Sequence, residues 1–582
     1  MAIERLHQTL RHLDQKTRLS ILHGPKEPEL LSLHLGTLLD LQAQKLASRT
    51  SLVSRAQNVR HSFSSLRARS QQIARGLLSL GIRHGDCVGI FAGNCAEYVE
   101  LFFACGRIGA ILVVLNVTYT PEELKRAIVA SECKVLFITA RIGTRSYDST
   151  IETLLDSTGA TNIPGLQKLL LLRDDQTTKY KFLPTLRDTI SRGHEVSDTA
   201  LQTAELAVSP HDVCNLQFTS GTTGNPKAAM LTHFNIINNA RFIGDRMALS
   251  EKDILCCPPP LFHCFGLVLG LLATITHGST IVFPSDSFDA ESVLSAVLDE
   301  QCTAIHGVPA MWAAEMQLIG PQHDFSRLRT GIAAGSATPR QMMEDLGKKM
   351  SLKYLTNTYG MTETSPASFM TSWNDTLERR LATVGTILPH TSAKIIDGQG
   401  NIVPIGCKGE LCISGYLLQK GYWKNPEKTK EVMIRDEHGT LWMHTGDEAA
   451  FDEDGYCKIT GRIKDIIIRG GENIFPLEIE EILMEHPLIM NASVVGLKDD
   501  KYGEIVASFL QAASDKRPDD EEVRSWVRRR LGRHKAPKHV FWIGDPKVGD
   551  SYPLTGSGKI KKNVLRELGD ALLKESLALH QS

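Results

Sequence analysis

The sequence predicts an α/β protein of at least two domains, on two observations. The chain has 582 residues, more than one hydrophobic core holds together. From about Leu31, stretches with helical spacing alternate with short apolar runs. The spacing predicts helices over 70–80, 96–109 and 122–131 and strands over 87–91, 111–115 and 134–139. That order implies parallel sheet with crossover helices. Residues 141–199 read as more polar, irregular surface.

Composition narrows the class. Hydrophobic residues are 42% and charged residues 23% of the chain, values of a water-exposed globular protein. The 65 basic and 66 acidic residues leave a net charge of −1. No field therefore draws the chain to nucleic acid or to an anionic membrane. The 12 cysteines are scattered; Cys256, Cys257 and Cys264 lack paired metal-ligand spacing, so reduced, buried thiols of an intracellular protein are expected. The most apolar run, at 110–115, is too short to span a bilayer.

The stretch Thr219-Ser220-Gly221-Thr222-Thr223-Gly224-Asn225-Pro226-Lys227 follows an apolar run that ends at Phe218 and precedes an apolar-periodic run from about Ala228. That context predicts strand, loop, helix. Two glycines free the backbone, hydroxyls offer donors, consecutive N–H groups can cradle an anion, and Lys227 adds a positive charge. The lysine spacing is not that of the Walker loop. By itself such a loop also reads as an ordinary surface turn.

Further along, prolines 258–260 stop a strand and present His263 at a loop-to-helix junction. A lone histidine beside apolar residues is usually structural. The helix expected over 266–276 is almost wholly apolar. Small residues at Gly335, Ser336 and Ala337 let a flat ring approach the backbone. Asn357-Thr358-Tyr359-Gly360-Met361-Thr362-Glu363 then offers a ring to stack on a purine, a hydroxyl for phosphate, and a hard carboxylate suited to Mg²⁺. Asp447 follows a turn glycine, as a carboxylate accepting ribose hydroxyls does. Arg462 can reach ribose or phosphate, and Lys464 sits in a hydrated pair suited to a hinge. Gly470-Gly471-Glu472 forms a narrow loop, and Lys559 closes a glycine-rich one. At the N-terminus, Arg5 and Leu6 followed after five residues by His12 and Leu13 fit either an amphipathic helix or an import signal. The C-terminus lacks the tripeptide import signal.

In this order, from Thr219 to Lys559, the strings resemble the adenylate-forming enzymes: acyl-CoA synthetases, luciferases and peptide-synthetase adenylation domains. The resemblance covers nearly all of the chain after about residue 35. It implies a large N-terminal domain of layered sheets and helices with a smaller mobile α+β C-terminal domain: 1–30 an extension, 31–462 the large domain, 463–582 the small one. It implies an ATP- and Mg²⁺-dependent ligase joining a small carboxylic acid to CoA through an acyl-adenylate. Residues 219–227, 335–337, 357–362, Asp447, Arg462 and Lys559 would bind ATP. Glu363 would hold the metal, and Lys559, Glu363, Thr219 and His263 would serve the chemistry. Lys464 would be the hinge, and Gly470, Gly471 and Glu472 the CoA loop. With the N-terminal pattern, the chain is similar to fungal peroxisomal acyl-CoA ligases of siderophore and toxin pathways, mevalonyl-CoA ligases among them. A peroxisomal import receptor is then a partner; without the signal the protein is expected in the cytoplasm. Loading of a separate carrier protein, a medium-chain fatty acid substrate, luciferase-type oxidation and non-catalytic nucleotide sensing are the alternatives. The presence of Lys559, Glu363 and Asp447 argues against the last.

Overall fold

The computed structural model describes residues 18–581 apart from 175–176, 220–226, 335–337, 339 and 556–558, with backbone alone over 576–581. Four main sheets organise the described residues, with one small two-stranded hairpin beside them. The first sheet has six strands, in the spatial order Lys227–Thr232, Val213–Thr219, Ile111–Val114, Cys87–Phe91, Cys133–Ile138 and Lys168–Leu171. The strands from Val213–Thr219 to Lys168–Leu171 pair in parallel, and Cys87–Phe91 and Ile111–Val114 at its centre are buried and apolar throughout, as strands covered on both faces are. The second sheet has nine strands and runs from Thr386–Ile387 at one edge to Val59–Ser62 at the other. Between the two sheets lies the largest core. The helix Ala96–Arg107 is buried along nearly its whole length there, with Tyr98, Phe102 and Phe103 sealed from solvent.

Local signals set the element ends. Thr120 caps the helix Pro121–Ser131 in a capping box with Glu123, and Pro121 stands in the first turn where no donor is missed. The strands expected over 87–91 and 134–139 form at Cys87–Phe91 and Cys133–Ile138. The polar stretch 141–199 is more ordered than its composition suggested. It holds the short hairpin Arg141–Ser146 and the strand Lys168–Leu171, whose apolar residues complete the first sheet.

Two expectations are corrected. The run after the phosphate loop is a strand: Lys227–Thr232 pairs antiparallel with Val213–Thr219, from Thr219↔Lys227 to Val213↔Thr232. The helix starts only at His233, because the Thr232 hydroxyl caps it and Asn235 closes the box. The described flanks of that stretch, Thr219 and Lys227, are therefore paired strand ends rather than a helix entrance. Secondly, the described part of the expected extension is built into the body, since Ile21–His23 pairs with Thr391–Ile396.

The third sheet carries Thr391–Ile396, Gly409–Gly415, Leu441–Phe451 and Cys457–Arg462. A single turn, Ile463–Asp465, links it to the fourth sheet, built from Ile467–Arg469, Glu472–Ile474, Ile489–Asp499, Gly503–Ala512 and His539–Trp542. This last sheet has its own apolar clusters on its two faces, around Val494 and Val506 and around Leu497 and Phe509.

Candidate active site

The candidate cleft is built where the second and third sheets meet the chain near Lys559. Strand Tyr354–Gly360 ends at Gly360, where a Cβ would stand 1.8 Å from the Pro366 carbonyl oxygen, so only glycine fits. The chain then turns through Thr362–Thr364, which buries Glu363 to 6% exposure. On the facing strand Leu441–Phe451, a bulge with Gly446 at φ +70° turns Asp447 into the cleft, 5% exposed.

Tyr359 donates its hydroxyl to Asp447 Oδ2 at 2.6 Å, and Arg462 Nε lies 3.1 Å from Asp447 Oδ1. Burial and the Asp447 charge push the Tyr359 phenol well above its usual range. Asp447 holds the Arg462 guanidinium above its ordinary value. The Arg462 side chain is 58% exposed, so solvent screens this pair and it adds little to stability. It is a positioned charge at the cleft mouth.

Glu363 Oε1 accepts from the Tyr422 hydroxyl at 2.8 Å, and Lys227 Nζ lies 5.2 Å from the centre of the Tyr422 ring. Gln419 donates its backbone N–H to the Glu363 carbonyl at 2.9 Å. No Lys or Arg lies within 4 Å of the Glu363 carboxylate among the described residues. A buried carboxylate with one hydroxyl donor and no ion-pair partner suits a divalent cation.

Lys559 reaches this group from the other side. Desolvation among the surrounding atoms, then the Arg462 charge, lower its ammonium below the ordinary lysine value, while Asp447 and Glu363 oppose them. The residue remains exposed along the open cleft. Water therefore screens it more than the crowding alone suggests. His263 also feels Lys559: burial first, then that charge, lower its imidazole to about 3. His263 is thus neutral at physiological pH, with Nδ1 accepting from the Phe265 N–H at 3.1 Å. It can donate from its other nitrogen but brings no positive charge.

Behind His263 the chain runs Phe265–Leu272 as a π-helix and Ala273–His277 as an α-helix, apolar and buried over 265–275. Wide helical turns of this kind recur at functional sites. Gly266 is needed there, because a Cβ would stand 2.4 Å from the Pro260 carbonyl oxygen. Cys264 donates to Gln217 Oε1 at 3.0 Å and contacts the Thr362 hydroxyl.

The structure thus gathers Tyr359, Thr362, Glu363, Asp447, Arg462, Lys559, His263 and Lys227. It gives other expected residues local duties. Asn357 donates its side chain to the Thr383 carbonyl, Thr358 to the Phe369 carbonyl, and Thr219 to the Lys227 carbonyl. Met361 lies half-buried against the third-sheet core. Ser220 to Pro226 and Gly335 to Ala337 lie outside the described residues. Gly470 and Gly471 form a hairpin tip between Arg469 and Glu472, at φ +60° and +86°, and Glu472 pairs with His534 at 3.3 Å. That contact lies within the part built on the fourth sheet. Sequence reasoning missed Tyr422, Gln217 and Gln419. The Gly421-Tyr422-Trp423 string before Asn425-Pro426 was the available signal for the first.

The profile of the AMP-binding enzyme family matches residues 39–423, and that of its C-terminal domain matches 478–559, ending on Lys559. The chain is 52% identical to the acyl-CoA ligase sidI of Aspergillus fumigatus, over 99% of this chain and 98% of that one. It is 36% identical to the mitochondrial medium-chain acyl-CoA ligase ACSF2 of Rattus norvegicus, over 96% of this chain and 91% of that one. Among solved structures, ATP-bound MatB from Rhodopseudomonas palustris superposes with a TM-score of 0.77 at 25% identity, covering 93% of this chain and 100% of that one. ATP, CoA and a carboxylic acid are the substrates that fit such a ligase. With both family profiles and the full-length relatives matched, the chain belongs to the AMP-binding enzyme family, as an ATP-dependent acyl-CoA ligase that works through an acyl-adenylate.

Proposed function

We propose that the acid is short and hydroxylated, of the mevalonate type, and that the enzyme supplies its CoA thioester to siderophore assembly. The likeness to sidI, 52% against 36% for the medium-chain enzyme, carries this reading. The apolar helix at 265–277 supports a second reading, a medium-chain fatty acid. A panel of short hydroxylated and straight-chain acids, assayed by mass for acyl-CoA, decides between them. A higher kcat/KM for octanoate than for mevalonate overturns the first.

The chemistry follows from charge. A carboxylate attacks the α-phosphorus of ATP and pyrophosphate leaves, so charge on the phosphoryl oxygens must be met by positioned cations. Lys559 is the cation aimed at that step. Lys227 and the loop at 219–227 receive the outgoing phosphates. Asp447 takes the ribose hydroxyls, Arg462 backs it, and Tyr359 stacks on the adenine. Neutral His263 closes the acid side and donates to a carboxylate oxygen. Glu363, steadied by Tyr422, would hold Mg²⁺, which neutralises phosphate charge when bound. The adenylate then meets the thiol of CoA after the part beyond Lys464 rotates, so that Lys559 leaves and Gly470, Gly471 and Glu472 arrive. We place the domain boundary at 462/463 for this reason. We also read Arg5, Leu6, His12 and Leu13, outside the described residues, as a peroxisomal import signal.

A further inference from the structure

The third sheet brings together three side chains that the ligase reaction does not use. Glu410 and Cys412 stand two residues apart on Gly409–Gly415, and so on one face. Cys412 is directly opposite His444 on Leu441–Phe451. The bulge between them takes up residues 445–447, which swings Glu410 against His444: Nδ1 of His444 lies 2.9 Å from Glu410 Oε2. Ligand atoms of all three residues lie within 4.8 Å of one another.

We propose that Glu410, Cys412 and His444 form a binding site for a divalent ion of the zinc class. A thiolate, an imidazole and one carboxylate are the donors that borderline-soft ions select and that Mg²⁺ does not. Bonds of about 2.0–2.3 Å to zinc put ligand atoms less than about 4 Å apart, so this cluster needs only a small closing. Three protein ligands leave a fourth position for water or an anion. The carboxylate is oriented from behind, because Glu410 Oε1 accepts the Gly446 N–H at 3.1 Å while Oε2 faces His444. His444 and Glu410 keep 22% and 24% of their side-chain surface exposed, which gives an ion a way in.

Without metal, the Cys412 thiol is held protonated by burial, with the Glu410 charge adding. On binding, the S–H bond breaks, the proton goes to solvent and sulfur donates its pair to the ion. Lys394, opposite Cys412 on the next strand, is a cation whose charge favours the thiolate. It lies over the Trp442 ring at 4.3 Å and 4.0 Å from Asp436, to one side of the cluster. The site is two residues from Gly446 and three from Asp447, so occupancy would stiffen the bulge that presents Asp447.

The full-length enzyme is titrated with Co²⁺ as a visible probe, then with Zn²⁺ in competition with a chromogenic chelator. One Co²⁺ per chain with a thiolate-to-cobalt charge-transfer band is expected, displaced by Zn²⁺. Cys412→Ser abolishes the band, His444→Gln weakens Zn²⁺ binding by about tenfold or more, and Cys407→Ser, at the exposed thiol, changes neither. No band in the wild-type enzyme overturns the proposal, and that result needs no variant to fold. A band that survives Cys412→Ser overturns it too.

Discussion

Lys559 combines an exposed position with a charge that, on the proposed mechanism, must be aimed. Replacing it by alanine should slow pyrophosphate exchange by on the order of 10²–10³-fold, the loss seen when one preorganised donor to a developing charge is removed. Thioester formation from supplied acyl-adenylate should change little. Equal losses in both steps would contradict the assignment. The direction of its pKa adds a second expectation. The lowered ammonium loses its proton as pH rises, so kcat/KM for ATP should fall on the alkaline side below the ordinary lysine value of about 10.4. That limb should vanish in Lys559→Gln; if it stays at the same pH, another group causes it. Tyr422 belongs to the same scale. Tyr422→Phe removes one hydrogen bond to a buried carboxylate, about 1.5–3 kcal/mol, or roughly ten- to a hundredfold. The loss should appear as a raised Mg²⁺ requirement in pyrophosphate exchange, and an unchanged requirement would remove Tyr422 from the metal site. Asp447, Glu363 and Lys559 were legible in the sequence because each sits in a long string of distinctive residues. Tyr422 was not, because a tyrosine in a loop is marked only by the partner that folding brings to it.

At the level of elements, the same division holds. The buried strands at 87–91 and 133–138 were readable because a strand covered on both faces reads as a near-continuous apolar run, broken here only by Lys134. The strand Lys227–Thr232 was not, since at a sheet edge its six residues fit either period and only the Thr232 cap shows where the helix begins. The Gly470–Gly471 hairpin gives a test at this scale. Both residues have positive φ, as a two-residue turn of this hand requires. No atom lies within 4 Å of a Cβ built on Gly471. Gly471→Leu therefore costs about 1–2 kcal/mol of backbone strain without a clash in this state. Pyrophosphate exchange should persist while CoA-thioester formation falls by tenfold or more. Gly471→Asn, which tolerates the turn, should show the same split with less loss of melting temperature. If exchange falls as far as thioester formation in folded protein, the loop does not serve the second step.

For the whole molecule, motion and address are the remaining questions. Lys464 lies exposed in the single turn Ile463–Asp465 between two sheets. Proline there suits the φ of such a turn but cannot change it, so Lys464→Pro should hold the present arrangement. Adenylation should continue and acyl-CoA output should drop at least tenfold; normal output would move the hinge elsewhere. Fusing the first twenty or so residues to a fluorescent reporter should give puncta that turn diffuse when Arg5 and His12 are replaced. A diffuse signal from the intact fusion would refute the import reading. No such address can be read from packing, because a receptor reads it in the open.

Arg462 closes the strand that pairs with Asp447's own, stands directly opposite Asp447, and is the last residue before the turn at 463–465. With the swing proposed above beginning one step later, the nucleotide would be fastened to the doorpost while the lysine rides on the door. AMP would then stay docked while its neighbours exchange. On that proposal pyrophosphate departs before the door moves, CoA comes in afterwards, and AMP is free to be last out. The proposed order of product release thus follows from where one strand stops.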